Sequence, residues 1–192
     1  LRLVGNFLDP EPGYYNASTY YGEKEIFALG GSLQYQNGPT PDVDDKLFGW
    51  QLDVLYETKM SPSGVVSLEG AYWNFKGTDD GYTNAFVAGG PATPIFTQPG
   101  QSFYLLAAWM TPKKIGIGNL QPNVRIEYVK LDLPDAAPAG TPDPDASQKL
   151  DLGVNYIIDG HNLRFAAVFS HMFNPGPAAD ANAFQLGTQI QL

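Results

Sequence analysis

The chain ends in a run of residues in which apolar and polar side chains alternate without a break. Residues 183–192 read AFQLGTQIQL, where one face holds Phe184, Leu186, Thr188, Ile190 and Leu192 and the other holds Gln185, Gly187, Gln189 and Gln191. Successive side chains of a strand point to opposite faces of a sheet, so this segment predicts a strand with one apolar and one amide-lined face. The apolar face needs either a protein core, as in a soluble sandwich, or lipid, as in an outer-membrane barrel.

The same period of two recurs along almost the whole chain, and helical spacing is nowhere convincing. Candidate strands run near 1–9, 25–36, 47–59, 64–75, 102–111, 122–132, 149–158, 161–172 and 183–192. In the third of these, the apolar face holds Phe48, Trp50, Leu52, Val54 and Tyr56. Segment 102–111 alternates less clearly, and there we assign Phe103, Leu105, Ala107 and Trp109 to the apolar face. The chain is therefore predicted to be all-β and antiparallel.

Two features indicate that the apolar face contacts lipid and not a protein core. The candidate strands are about 9–12 residues long, which is the length of a tilted strand that crosses a bilayer, whereas strands of soluble proteins average about 5–6 residues. The polar face mixes charged residues with Gly, Ala and Ser, which is typical of a crowded, water-filled lumen. The pattern therefore predicts an antiparallel transmembrane β-barrel, with residues 1–192 forming part of one barrel domain.

Composition excludes several other classes of protein. No apolar run reaches the roughly 18 residues that a transmembrane helix needs. The net charge of -9, with only 11 Lys and Arg residues, argues against nucleic acid as a partner. The chain has no cysteine, which excludes disulfide frameworks and thiolate metal sites.

The chain begins LRLVGNF, inside a candidate strand and without Met, so we expect a mature or truncated piece whose N-terminal part is missing.

The connections between candidate strands alternate in length. Working back from the C-terminus, they are 173–182 (long), Asp159-Gly160 (tight), 133–148 (long), 112–121 (moderate), 76–101 (very long) and 59–63 (short). This alternation predicts one rim with long loops and a periplasmic rim with short turns, the latter carrying Lys113 and Lys114. The long connections hold Asp79, Asp80, Asp135, Asp143, Asp145 and Asp180, an acidic outer rim suited to divalent cations shared with lipopolysaccharide. Connection 10–24 is too long for the short-turn rim, so we expect an elaborated turn or a further crossing there.

Residues that could support catalysis or metal binding are few. His161 and His171 lie at opposite ends of one candidate strand and cannot share a metal, and Ser170 points to the face opposite His171. The DVDD sequence at 42–45 lacks the glycine and distal glutamate of a calcium loop, and the GIG sequence at 116–118 opens no helix. We therefore predict a protein that is not an enzyme and that has no cofactor and no metal site.

Two further expectations concern particular side chains. Six tyrosines, which are Tyr14, Tyr15, Tyr20, Tyr21, Tyr56 and Tyr72, are candidates for an interfacial aromatic girdle, with core packing as the alternative. A two-residue turn at Asp159-Gly160 predicts that Ile158 and His161 share the outer side and that Asn155 pairs with Arg164 on the inner side. Arg164 then extends from the wall near the periplasmic mouth, unless a partner across the lumen or in an inward-folded loop engages it.

Four stretches resemble the C-terminal half of a Gram-negative outer-membrane porin of the phosphate-selective porin O/P type. They are FLDPEPGYYNASTYYGEKEIFALGGSLQYQ, VVSLEGAYWNF, PKKIGIGNLQPNVRIEYVKL and KLDLGVNYIIDGHNLRFAAVFSH, and the similarity extends over essentially all 192 residues. The resemblance implies a barrel of roughly sixteen strands, located in the cell outer membrane. It also implies contact with the lipid bilayer and lipopolysaccharide, and a homo-oligomer for which a trimer is the candidate. Leu192 stands where the family usually has Phe, and without a basic run phosphate selectivity is not expected.

The function predicted from these observations is passive diffusion of small hydrophilic solutes or ions. The charged positions predicted to line the pore are Arg2, Asp53, Glu57, Glu69, Arg125, Glu127, Lys149, Asp151 and Arg164. Basic and acidic residues are nearly balanced among them, so we expect no strong ion preference. Two alternatives stay open. One is a non-conducting outer-membrane barrel that serves as an adhesin, a scaffold or a sheath for a partner. The other is a soluble β-barrel that binds an apolar ligand inside.

Overall fold

The computed structural model describes residues 1–11, 19–37, 46–76, 100–131, 146–173 and 179–191, and these residues form nine β-strands. The strands are β1 (Arg2–Asn6), β2 (Ile26–Asn37), β3 (Lys46–Met60), β4 (Gly64–Lys76), β5 (Gly100–Met110), β6 (Asn119–Leu131), β7 (Ser147–Asp159), β8 (Leu163–Phe173) and β9 (Ala181–Ile190). Each lies where the alternation of side chains predicts it. The prediction of an all-β chain is confirmed.

The strands form one open sheet in which every strand pairs antiparallel with the next in sequence. The order from one edge to the other is therefore β1 to β9 without a crossover. Eight of the strands, β2 to β9, contain between 10 and 15 residues. Within the described ranges, no helix is long and apolar enough to cross a membrane.

The register places the predicted apolar residues of neighbouring strands on the same face. Residues that lie directly opposite in an antiparallel pair share a face, and Leu52 pairs with Tyr72, which pairs in turn with Phe103. In β5, Leu105 is 57% exposed and Trp109 is 43% exposed on this face. The facing assigned to segment 102–111, where the alternation is weakest, is confirmed.

The short connections of the described chain all lie at one end of the strands. Residues 61–63 join β3 to β4, residues 111–118 join β5 to β6, and residues 160–162 join β7 to β8. The connections that hold Asp79, Asp80, Asp135, Asp143 and Asp145 lie outside the described residues. Asp180 is described, and its carboxylate lies 3.7 Å from the His171 ring.

The register predicted for the β7–β8 hairpin is wrong. Ile157, and not Asn155, lies opposite Arg164, and Asn155 lies opposite Ala166. The turn is longer than two residues, because Asn162 N–H donates to the Asp159 carbonyl, and a bulge between Ile157 and Asp159 absorbs the extra residue. A three-residue loop alone would pair residues that point to opposite faces of the sheet, and the extra residue of the bulge brings residues with the same facing opposite each other again. Arg164 therefore keeps its predicted face although its partner changes.

Candidate functional site

Residues 19–22, from the connection between β1 and β2, lie across the polar face of the sheet. The Thr19 hydroxyl donates to Glu57 Oε2 on β3 at 2.6 Å, and His161 Nε2 in the β7–β8 turn donates to the Thr19 carbonyl at 2.8 Å. In a flat sheet β3 and β7 would be about 19 Å apart, four spacings of about 4.8 Å. Because side chains of a strand stand roughly perpendicular to the sheet, one residue can contact both only if the polar face is concave.

Seven of the nine charged positions predicted to line a pore lie close together on this concave face. They are Arg2, Asp53, Glu69, Arg125, Glu127, Lys149 and Asp151, and we call them the charged belt. Cross-strand pairing brings the members of the belt next to one another. Glu127 lies between Tyr104 on β5 and Lys149 on β7. Two residues before Glu127 on β6, Arg125 lies opposite Asp151.

At one end of the charged belt, Arg2 and Asp53 form a bidentate ion pair across β2. The two guanidinium nitrogens of Arg2 lie 2.7 and 3.1 Å from the two carboxylate oxygens of Asp53. Gln51 Nε2 also donates to Asp53, at 3.0 Å. Gly30 lies between the two partners, where a Cβ atom would come within 2.0 Å of Asp53 Oδ2. Any side chain at position 30 would therefore clash with the Asp53 carboxylate and disrupt its ion pair with Arg2.

In the middle of the belt, aromatic rings lie among the charges. The Tyr104 hydroxyl donates to Glu69, and the Arg125 guanidinium lies over the Tyr104 ring at 4.7 Å from its centre. The Trp73 ring stacks on Tyr104 with the ring centres 5.6 Å apart. Cation–π contacts of this kind hold an arginine in place without neutralising its charge. Arg125 also contacts Glu127 at 2.7 Å.

At the other end, Lys149 lies between two carboxylates. Its Nζ atom is 2.9 Å from Asp151 and 3.7 Å from Glu127. Asp151 is only 7% exposed. Its Oδ1 atom and the Nε atom of Arg125 have no hydrogen-bond partner among the described residues. Lys149 is therefore the nearest positive charge to a buried carboxylate and holds this end of the belt together.

The two remaining predicted positions, Glu57 and Arg164, lie beside residues 19–22 and apart from the belt. Glu57 is on the predicted face but is fully buried. Arg164 lies near the Tyr21 hydroxyl: burial raises the pKa of Tyr21, and the positive charge of Arg164 acts in the opposite direction. Arg164 therefore lies near the inward-folded connection, and the Tyr21 hydroxyl makes no hydrogen bond among the described residues.

Neither histidine belongs to a group of three potential metal ligands among the described residues. The His161 ring packs on Tyr21 with the ring centres 4.9 Å apart, so it lies on the inner side of the sheet, and the prediction that it shares the outer side with Ile158 is wrong. His171 contacts Asn182 and Asp180. Among the described residues, no three His, Cys, Asp or Glu side chains lie close enough to hold a metal ion.

The concave face also has a cleft of about 250 Å³ beside the belt. It is lined by side chains that include Arg2, Glu11, Asp53, Glu69, Trp73 and Tyr104. The cleft combines charged groups and two aromatic rings with apolar side chains such as Val4 and Leu55.

Aromatic side chains lie toward both ends of the opposite, apolar face. Toward the short-turn rim they are Phe27, Tyr56, Trp109, Tyr156 and Phe165, and toward the other rim they are Tyr35, Phe48, Trp50, Tyr72, Phe103, Tyr128 and Phe173. Of the predicted girdle tyrosines, Tyr56 and Tyr72 are on this face. Tyr20 and Tyr21 are not, because their segment folds across the concave face, and Tyr14 and Tyr15 lie outside the described residues.

The inward fold of residues 19–22 was not predicted, although the sequence held a sign of it. Connection 10–24 is too long for a simple turn, and its residues 19–22 lie across the concave face. Comparisons of the chain with protein-family models, with curated proteins and with solved structures found no match.

Proposed function

We propose that this chain forms the wall of an outer-membrane β-barrel that conducts small hydrophilic solutes or ions by passive diffusion. The observation that carries the proposal is the division of the curved sheet into two faces. Charged side chains and a cleft of mixed polar and apolar lining occupy the concave face, and large apolar side chains are exposed on the convex face. A water-filled barrel in a bilayer needs this arrangement of faces.

The convex face has the dimensions of a bilayer-facing band. Large apolar side chains there remain exposed, among them Leu52, Leu105, Ile126, Leu152 and Leu186. Phe48 and Tyr56 mark its two aromatic ends on β3, about 26 Å apart along the strand. A tilt of about 40° shortens this to about 20 Å across the membrane, close to the band of about 25 Å typical of such barrels.

The concave face favours conduction through water over a soluble barrel with an apolar ligand. A soluble barrel of that kind places its apolar side chains inside, whereas here the inside holds ion pairs such as Arg2–Asp53 and Lys149–Asp151. A non-conducting barrel with the same faces remains the second candidate, since a plug or a bound partner would fill the same lumen.

Single-channel recording from the full chain in planar bilayers tests the proposal. We expect steps of ohmic conductance with weak ion preference, because the basic and acidic residues of the charged belt nearly balance. Stable insertion without conductance would favour the non-conducting barrel, and a chain that stays in solution without detergent would favour the soluble one.

Lys149→Met is expected to shift the channel toward cations. The change leaves Asp151 and Glu127 without the ammonium group that lies 2.9 and 3.7 Å from them. One charge acting at about 4 Å in water is worth about 1 kcal/mol, or a change of up to about fivefold in the permeability ratio. The reversal potential in a salt gradient measures this ratio.

Lys113→Met provides the matched control, because Lys113 is exposed in the turn between β5 and β6. It removes the same charge outside the belt and should leave the reversal potential nearly unchanged. Equal shifts in the two variants would show that the total charge, and not the belt, sets the ion preference.

A further inference from the structure

We propose that residues 19–22, which we call the strap, are a fixed constriction at the short-turn mouth that sets the size limit for solutes, and that Glu57 is the residue that holds it. This inference rests on the proposed function, because a size limit has meaning only for a conducting barrel. It assigns to Glu57 a positioning role that differs from the lining role expected from its facing alone.

The Glu57 carboxylate is surrounded by donors, and three of them belong to the strap. Its Oε2 atom accepts from the hydroxyls of Thr19 at 2.6 Å and Ser67 at 2.7 Å. Its Oε1 atom accepts from the backbone N–H groups of Tyr20 at 3.0 Å and Gly22 at 2.8 Å. A carboxylate that is 0% exposed is stable only with such partners, so releasing the strap would leave either the charge or its donors unsatisfied.

The strap also contacts β4 and the β7–β8 turn. Gly22 packs on Val65 of β4, where a Cβ atom at Gly22 would lie 2.5 Å from Val65 Cγ2. Tyr21 packs on the His161 ring, and His161 donates to the Thr19 carbonyl. The strap is therefore fixed to β3, to β4 and to the β7–β8 turn, and it crosses the concave face between them.

These contacts place the strap over the concave face, which would form the lumen wall of the proposed barrel. The strap lies at the same end of the strands as the short turns 61–63 and 160–162. The charged belt lies farther from this rim along the strands, since Asp53 is four positions before Glu57 on β3. A solute moving along the concave face would meet the belt and the strap in sequence, and the strap is backbone held across that face near the short-turn rim.

A reversible disulfide can hold or release the strap in a single protein. A Cβ atom at Gly22 would lie 3.7 Å from the Val65 Cβ, within the range of about 3.5–4.5 Å between the Cβ atoms of a disulfide. The chain has no cysteine, so Gly22→Cys with Val65→Cys introduces only this pair. Because Gly22 has φ of 79°, a conformation in which a side chain is strained, the cysteine pair with native Glu57 is recorded in parallel to isolate the effect of that strain. Adding Glu57→Ala removes the carboxylate that holds the strap, so that only the disulfide fixes the strap to β4.

We expect the oxidised triple variant to conduct like the native chain. Reduction should raise its single-channel conductance on the order of 1.5- to 2-fold and admit larger neutral polymers, because the strap is then free to leave the mouth. Glu23→Ala is the matched control, since Glu23 lies on the same connection but is exposed, and it should leave conductance unchanged.

If Glu57→Ala prevents insertion, Thr19→Val with Ser67→Ala provides a second variant. It removes the two hydroxyl groups that donate to Glu57 and is also expected to raise the single-channel conductance.

The outcomes separate the strap from the channel. If the native chain inserts but does not conduct, the proposed function fails. If it conducts but the cysteine pair does not cross-link, the strap is not seated on β4 and the inference is overturned. If the pair cross-links and conductance is the same in both redox states, the strap is not the constriction, and the channel proposal stands.

Discussion

Replacing Leu152 or Leu186 with arginine is expected to lower the free energy of unfolding in a bilayer by about 2–4 kcal/mol, the penalty for a charge on the lipid face near the midplane. Both side chains lie on the apolar face near the middle of their strands, and they are 51% and 76% exposed. Leu152 has Val124 and Phe169 on either side, so its surroundings are apolar throughout. Urea unfolding of the chain in phospholipid vesicles measures the change.

Gln185→Arg is the matched control for Leu186→Arg. The two positions are adjacent on β9, both are exposed, and they point to opposite faces. The arginine at 185 would project toward the concave face, which the proposed barrel fills with water that hydrates a charge, so we expect a change below about 1 kcal/mol. Comparable losses at 185 and 186 would mean that the two faces do not differ in their surroundings.

Gly64→Ala is expected to destabilise the chain by at least about 2 kcal/mol, through backbone strain and a direct clash. Gly64 begins β4 with φ of 110°, a conformation that residues with a side chain rarely adopt. A Cβ atom there would lie 2.2 Å from the Met110 carbonyl oxygen of the neighbouring strand. Because that atom belongs to the backbone of a paired strand, relieving the clash would disturb the β4–β5 ladder.

Gly187→Ala is the control for this steric argument. Among the described residues, a Cβ atom at Gly187 would meet only the Ala166 Cβ, at 3.9 Å, and the φ of Gly187 is not in the left-handed region. We expect a change of less than about 1 kcal/mol. If both glycine variants unfolded at the same denaturant concentration, the close approach at Gly64 would not be a constraint on the fold.

Most of the fold could be predicted because strand facing is a local property of the sequence. In β3, Trp50, Leu52 and Val54 alternate with Gln51 and Asp53, and the pairing of the sheet follows this pattern. Short-range alternation fixes which side chains share a face. It therefore placed the charged belt on one surface without any knowledge of its contacts.

The hairpin register and the strap could not be predicted, for two different reasons. The bulge between Ile157 and Asp159 keeps the facing of β8 unchanged, so alternation alone does not reveal it. The strap depends on contacts between residues far apart in sequence: Thr19 and Glu57 are 38 positions apart, and Thr19 and His161 are 142 apart. Only the curvature of the sheet brings these groups together.

Single-cysteine labelling along β3 distinguishes a sheet with lipid on its convex face and water on its concave face from the alternatives. The chain has no cysteine, so a fluorophore can be placed singly at each of residues 51–56 in the full chain reconstituted into vesicles. We predict quenching by a lipid-phase quencher at Leu52, Val54 and Tyr56, and quenching by an aqueous quencher at Gln51 and Asp53. The opposite pattern, or equal quenching at every position, would show that the convex face does not contact lipid while the concave face contacts water.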